Sequence, residues 1–203
     1  MRVKICGITR PEDALAAEAA GADAVGLIFA PGSKRQVTLE QAAQITAPLG
    51  PLVARVGVFV DAPLEVVLKA VRALRLSAVQ LHGSEDASYA EALRSQVTII
   101  KAVRFQAGVG PDAFVAFPAD ALFLDGPTPG GGEAFTWAEA SAWRGHPRLI
   151  LAGGLNADTI AAGIRALRPY AVDVASGVES RAGIKDHVKL QDFVSAAKTA
   201  SRH

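Results

Sequence analysis

The sequence predicts a single (β/α)8 barrel spanning residues 1–203. Short runs rich in Val, Ile, Leu and Phe recur eight times, at residues 3–8, 23–29, 55–60, 78–82, 98–104, 121–126, 149–154 and 171–177. The first and last of these runs begin at Val3 and Ala171, seven intervals of about 24 residues. Between them lie stretches with helical character. Strict strand–helix alternation implies parallel strands joined by right-handed crossovers. Near-continuous apolar strands agree, because a parallel sheet is covered on both faces. Eight such units reach the lower size limit of a closed barrel, about 200 residues. An open dinucleotide-binding sheet would place Gly-x-Gly-x-x-Gly after its first strand. Here that turn reads Cys6-Gly7-Ile8-Thr9-Arg10, and no Walker-type loop occurs.

In chain order, the helical segments are 11–20, 39–49, 63–74, 87–94 and 158–167, with 187–201 closing the chain. Leu64, Val67, Leu68 and Val71 mark one apolar face of the third. The fifth gap is the weakest, with only 112–117 available as a helix. Four strand openings echo one another: Asp23-Ala24-Val25, Ser77-Ala78-Val79, Asp120-Ala121-Leu122 and Tyr170-Ala171-Val172. Such pairs are common in an alanine-rich chain, so the echo adds little.

Composition narrows the function. Half the residues are hydrophobic and a fifth charged, an ordinary globular balance. Twenty-one basic against 20 acidic side chains give +1, too even for an electrostatic grip on nucleic acid or an anionic membrane. One cysteine excludes an internal disulfide framework and a cysteine-clustered zinc site. No apolar run reaches the roughly 20 residues of a membrane span. Residues 1–6 also lack a signal peptide's apolar region, so a cytoplasmic protein is expected.

In a barrel, chemistry gathers at the C-terminal ends of the strands. Alternation puts Lys4 and Cys6 on one face of the first strand, Gln80 and His82 on one face of the fourth, and Phe123 and Asp125 on one face of the sixth. Asp173 lies in the eighth. By position alone, Cys6 reads as a small buried hydrophobe. Asp125 ends an apolar run where an unpaired carboxylate is costly, so a site residue competes with a helix cap or a structural ion pair. His82 divides the same way between a site residue and a hydrogen-bonded strand end. Lys4 or Lys101 could form a Schiff base, against the commoner task of neutralising a carboxylate.

The loops after strands seven and eight, Ala152-Gly153-Gly154-Leu155-Asn156 and Ala175-Ser176-Gly177-Val178-Glu179-Ser180, suit phosphate through Gly153, Gly154, Ser176 and Gly177. The alternative is tight turns and nothing more. Pro129-Gly130-Gly131-Gly132-Glu133 reads as a mobile loop and candidate lid, or as a linker. Ser33-Lys34-Arg35 is a basic corner at the same mouth, or simply surface charge.

Several blocks together carry a resemblance. Val3-Lys4-Ile5-Cys6-Gly7-Ile8-Thr9, Gly21-Ala22-Asp23-Ala24-Val25-Gly26, Ser33-Lys34-Arg35, Val56-Gly57-Val58-Phe59-Val60, Val79-Gln80-Leu81-His82-Gly83, Gly153-Gly154-Leu155-Asn156 and Val172-Asp173-Val174-Ala175-Ser176-Gly177-Val178-Glu179 resemble the N-(5′-phosphoribosyl)anthranilate isomerase family. The blocks run in order over nearly the whole chain. The resemblance implies a (β/α)8 barrel and an aldose–ketose isomerase of tryptophan biosynthesis. Its reaction is an Amadori rearrangement of a sugar phosphate without cofactor or metal. It also implies Cys6 as general base, Asp125 as general acid, Arg35 at the anthranilate carboxylate and the two glycine loops at the phosphate. Monomer and homodimer both remain open.

That chemistry asks Asp125 to carry a proton while Cys6 loses one, the reverse of their order in free amino acids. Desolvation is expected to favour the first, and local positive potential the second. Two departures fall after strand six. The family's Gly-Gly-Thr-Gly and Phe-Asp-Trp stand here as Pro129-Gly130-Gly131-Gly132 and Phe135-Thr136-Trp137, with Thr136 expected as a substitute N-cap.

Overall fold

In the computed structural model, which describes residues 1–126 and 136–201, eight short parallel strands close on themselves. They are β1 (Arg2–Ile5), β2 (Ala24–Ile28), β3 (Ala54–Phe59), β4 (Ala78–Leu81), β5 (Thr98–Arg104), β6 (Ala121–Asp125), β7 (Leu149–Leu151) and β8 (Ala171–Val174). Each pairs with its neighbour in sequence, and β8 returns to β1 from Arg2↔Ala171 to Ile5↔Val174.

Six α-helices cover the described part of the outer face: α1 (Pro11–Ala19), α2 (Leu39–Thr46), α3 (Leu64–Leu74), α4 (Ala87–Arg94), α5 (Ile160–Leu167) and α6 (His187–Ala200). Local chemistry starts several of them. The Thr38 hydroxyl accepts the Gln41 N–H at 3.2 Å while the Gln41 side chain accepts the Thr38 N–H at 2.8 Å, a reciprocal cap on α2. Asp86 caps α4 through the Tyr89 N–H, and Asp186 caps α6 through the Val188 and Lys189 N–H groups. On α3, Val67, Ala70, Val71 and Leu74 are buried, with Leu64 and Leu68 at the edge of the same face.

Alternation splits each strand between two cores. Residues such as Val3, Ile5, Val79, Leu81, Leu122 and Leu124 pack outward under the helices. Val56, Ala78, Ile100, Phe123, Ile150 and Ala171 fill the barrel's interior. Two residues further on, the inward positions of β4 and β8 are Gln80 and Asp173. The interior therefore turns from apolar to polar toward the C-terminal mouth.

The structure revises several boundaries. The strand expected at 149–154 stops at Leu151, and that expected at 171–177 stops at Val174, because the following residues leave the ladder to build loops. Segment 112–117 forms a 3₁₀ turn, Pro111–Phe114, and Pro118 disfavours helical backbone at Phe117. In the sixth gap no α-helix forms among the described residues. Thr136 bonds the Glu139 side chain through its hydroxyl, and a turn leads to a 3₁₀ segment, Ser141–Trp143. The Pro129–Glu133 lid expectation and Phe135 lie outside the described residues. An unforeseen hairpin follows β8: β9 (Glu179–Arg181) pairs antiparallel with β10 (Ile184–Lys185).

Trp143 closes the wall where the described residues of units five and six form only 3₁₀ turns. Its ring is 1% exposed, lies 6.1 Å from Phe114, and donates Nε1–H to the Val109 carbonyl at 2.9 Å. Trp143→Ala should therefore cost about 3–5 kcal/mol in denaturant unfolding, and Trp143→Phe only about 1–3, chiefly for leaving the Val109 carbonyl unpaired. Equal losses from both would show that the hydrogen bond, not the ring volume, does the anchoring.

Candidate active site

β1 ends at Ile5, so Cys6 leaves the ladder at the barrel mouth while its N–H still bonds the Val174 carbonyl at 2.8 Å. On the opposite wall β6 ends on Asp125. Both line a cavity of about 590 Å³, together with Arg35, Gly153, Gly154, Ser176 and Gly177. The structure thus brings every sequence-predicted site residue to one opening.

Space for the Cys6 sulfur is made by Gly26 on β2, where a Cβ would come 2.7 Å from Sγ. Sequence reasoning quoted Gly26 only as part of a motif. Its role needs the neighbouring strand, and no local signal shows that. Cys6 is 6% exposed, and burial pushes its thiol above the ordinary value. The Lys4 ammonium acts in the opposite direction by charge and hydrogen bonding but does not win. The expectation of a depressed Cys6 is thus corrected: desolvation outweighs the local positive potential.

Lys4 is itself buried and donates to Asp173 Oδ1 at 2.6 Å and Gln80 Oε1 at 3.1 Å. Burial opposes its charge, but the Asp173 carboxylate more than compensates, holding Lys4 above an ordinary lysine. A lysine that keeps its proton is a poor Schiff-base nucleophile. Lys101 pairs with Glu85 at 3.1 Å and does not line the cavity. Of the two readings of these lysines, charge neutralisation fits.

Asp125 accepts the Gly126 N–H on Oδ1 at 2.8 Å, and its Oδ2 lies 3.4 Å from His82 Nε2. Arg35 has its own partner. Its Nε and Nη2 donate to the two Glu179 oxygens at 2.8 and 2.7 Å. Lys185 adds a bond to Glu179 Oε1 at 2.9 Å. Burial works against the Glu179 charge, yet Arg35 and Lys185 hold its carboxyl below the usual range. Lys185 escaped the sequence reading because it reaches the site only through the β9–β10 hairpin.

The glycine loops combine both readings offered by the sequence. Gly153 has φ +83°, and a Cβ there would meet the Gly126 nitrogen at 2.5 Å. At Gly177 a Cβ would fall on the Leu155 carbonyl oxygen. Tight backbone approach alone therefore requires these two glycines. The same loops still border the cavity, and Ser176 opens a 3₁₀ turn, Ser176–Val178, whose first N–H groups have no partner within the turn. Asn156 is committed elsewhere, its Oδ1 accepting the Asp158 and Thr159 N–H groups.

A closed eight-stranded parallel barrel with a buried thiol, a carboxylic acid and two glycine loops at its C-terminal mouth has the layout of a (β/α)8-barrel enzyme. Residues 3–196 match the family described as N-(5′-phosphoribosyl)anthranilate (PRA) isomerase, and the chain belongs to that family. An isomerase of that name from Pelobacter propionicus is 44% identical over 98% of this chain and 96% of its own. The crystal structure of phosphoribosyl anthranilate isomerase from Thermus thermophilus is 46% identical, with a TM-score of 0.91 over 98% of this chain and 99% of that one. A third member, 37% identical with a TM-score of 0.86 over 98% of this chain and 99% of that one, was solved in complex with reduced 1-(o-carboxyphenylamino)-1-deoxyribulose 5-phosphate.

Because Cys6 is the single cysteine, its ionisation can be followed directly by ultraviolet thiolate absorbance. The midpoint should lie above the ordinary value of about 8.5 and move higher still in Lys4→Gln. A midpoint below 8 would show that positive potential, not desolvation, governs this thiol.

Proposed function

We propose that this protein converts N-(5′-phosphoribosyl)anthranilate to 1-(2-carboxyphenylamino)-1-deoxyribulose 5-phosphate, with Asp125 as general acid and Cys6 as general base. The observation that supports the roles most directly is that both side chains line one cavity beside the glycine loops. Asp125 gives a proton to the furanose ring oxygen, and the C1′–O bond opens to the Schiff base of the aminoaldose. Cys6 as thiolate removes the proton from C2′, producing an enolamine, and protonation at C1′ with loss of the C2′ hydroxyl proton gives the ketose. One acid and one base at a single mouth suffice for both proton transfers.

In this reading the sugar's 5′-phosphate sits against Gly153, Gly154, Ser176 and Gly177, where backbone N–H groups and a hydroxyl serve an anion. Arg35 meets the anthranilate carboxylate while Glu179 holds its guanidinium in place. The near-neutral net charge favours a small substrate over a nucleic-acid partner, and the activity belongs to the cytoplasm.

The assay supplies the substrate, made in situ, and follows the loss of its anthranilate fluorescence. Wild type should turn over without added metal or nucleotide. Cys6→Ser and Asp125→Asn should each lower kcat by roughly 10²–10⁴-fold, the usual weight of a positioned acid or base. Full activity in either variant removes that residue from the mechanism, and no turnover by folded wild type overturns the reading. Since thiolate is the working form and burial raises Cys6, kcat/KM should still be climbing at pH 8.5.

A further inference from the structure

A line of polar side chains runs across the interior between the two residues that work in the proposed reaction. Lys4 Nζ donates to Gln80 Oε1 at 3.1 Å. Gln80 Nε2 lies 3.0 Å from His82 Nδ1, and His82 Nε2 lies 3.4 Å from Asp125 Oδ2. Each link has a direction. A lysine ammonium has only donors, so the Gln80 atom facing it is the carbonyl oxygen. That leaves the Gln80 NH₂ facing His82, and an NH₂ can only donate. His82 Nδ1 must therefore accept, and the imidazole's one proton sits on Nε2, beside Asp125. Phe123 lies against two members of this line. Its ring centroid is 5.7 Å from that of His82 in an edge-on arrangement and 5.3 Å from Lys4 Nζ.

We propose that Lys4 and Gln80 lock His82 as the neutral Nε2–H tautomer, which makes His82 the residue that positions the Asp125 carboxyl group for proton transfer. The inference rests on the reading of Asp125 as general acid. The Gly126 N–H holds Oδ1 and the His82 Nε2–H holds Oδ2, leaving a lone pair on each oxygen for the transferred proton. When Asp125 gives up its proton to the ring oxygen, the carboxylate that forms meets a donor already in place. The other protonation states of His82 fail here. The Nδ1–H tautomer would set an acceptor against the carboxylate. An imidazolium would hold Asp125 ionised and unable to donate. The 3.4 Å separation is long for a formed hydrogen bond, and contacts of this kind tighten when substrate fills the site.

The lock and its consequence are tested separately. In ¹⁵N-histidine NMR of the ligand-free protein, wild-type His82, assigned by its absence from His82→Phe, should show a pyridine-type Nδ1 and a pyrrole-type Nε2. Gln80→Glu replaces the NH₂ donor with an acceptor and should move a proton onto Nδ1. The same variant should lower kcat roughly 10- to 100-fold, the scale of one hydrogen bond to a charged group, with KM within about twofold. His82→Phe should lose a similar factor in kcat, and His82→Gln, which keeps a donor near the Nε2 position, should recover most of it. If Gln80→Glu does not fold, Gln80→Met removes the lock and should leave His82 without a single dominant tautomer.

A proton on Nδ1 in the wild type overturns the proposal. So does an unchanged kcat in a variant whose tautomer has shifted. Inactive wild type, or fully active Asp125→Asn, would instead remove the underlying assignment of function or acid, while the NMR result still decides whether the lock exists.

Discussion

The buried pair of Lys4 and Asp173 is the constraint on which the rest of the site depends. Both groups lie inside the barrel at no more than 5% exposure, 2.6 Å apart, one layer above an apolar filling. Taking two charges out of water costs several kcal/mol each, and the attraction repays this only with good geometry and further hydrogen bonds. Lys4 finds a further partner in Gln80, and the nearby Cys6 thiol favours its charge. Its protons thus meet a carboxylate and an amide oxygen that line the cavity with the Cys6 thiol. A methionine at this position would fill much of the volume without the cost of burying a charge. It would leave the thiol without its cation and the Gln80 amide without a reason to face one way. The ion pair is better understood as orienting its neighbours than as holding up the barrel.

A second network secures the rim. Asp13, fully buried on α1, accepts Arg10 at 2.6 and 3.0 Å, sits 2.8 Å from His187 Nε2 on α6, and takes the Lys185 N–H at 3.2 Å. These bonds outweigh the burial that opposes its charge, and Asp13 stays below the ordinary carboxylate range. Through Lys185 and Glu179 the same network reaches Arg35 at the cavity wall. The β9–β10 hairpin therefore links the first helix, the last helix and the basic corner after β2. Closure of the barrel at β8 and β1 brings these distant parts of the chain together.

What the sequence discloses follows how local each feature is. The barrel is legible because the apolar runs and their spacing recur in every unit. Lys4, Cys6, Gln80, His82 and Asp125 are legible as strand-end positions because alternation is a local rule. Unit five misled, since a 3₁₀ turn stands where a helix was the expectation, and among the described residues of unit six the wall is closed by Trp143 and another 3₁₀ turn. The partners were illegible: Arg35 to Glu179 spans 144 residues and Lys4 to Asp173 spans 169. No window of sequence contains such a pair. Glycine was legible as a residue but ambiguous as a sign. Gly153 and Gly177 are demanded by backbone approach before any ligand enters the argument.

The raised Cys6 thiol sharpens what kind of catalyst this site can be. Nucleophilic cysteines are served by a depressed pKa, because thiolate must be abundant. A general base removing a carbon-bound proton is served differently: proton affinity drives the transfer, and a stronger base gains in driving force part of what it loses in population. Burial beside an ammonium meets both demands. Desolvation makes the thiolate a strong base, and Lys4 keeps it from becoming too scarce. The same burial keeps Cys6 from behaving as a free surface thiol toward oxidants. In the proposed reaction, the pairing of Cys6 with a buried lysine therefore favours proton transfer over nucleophilic attack.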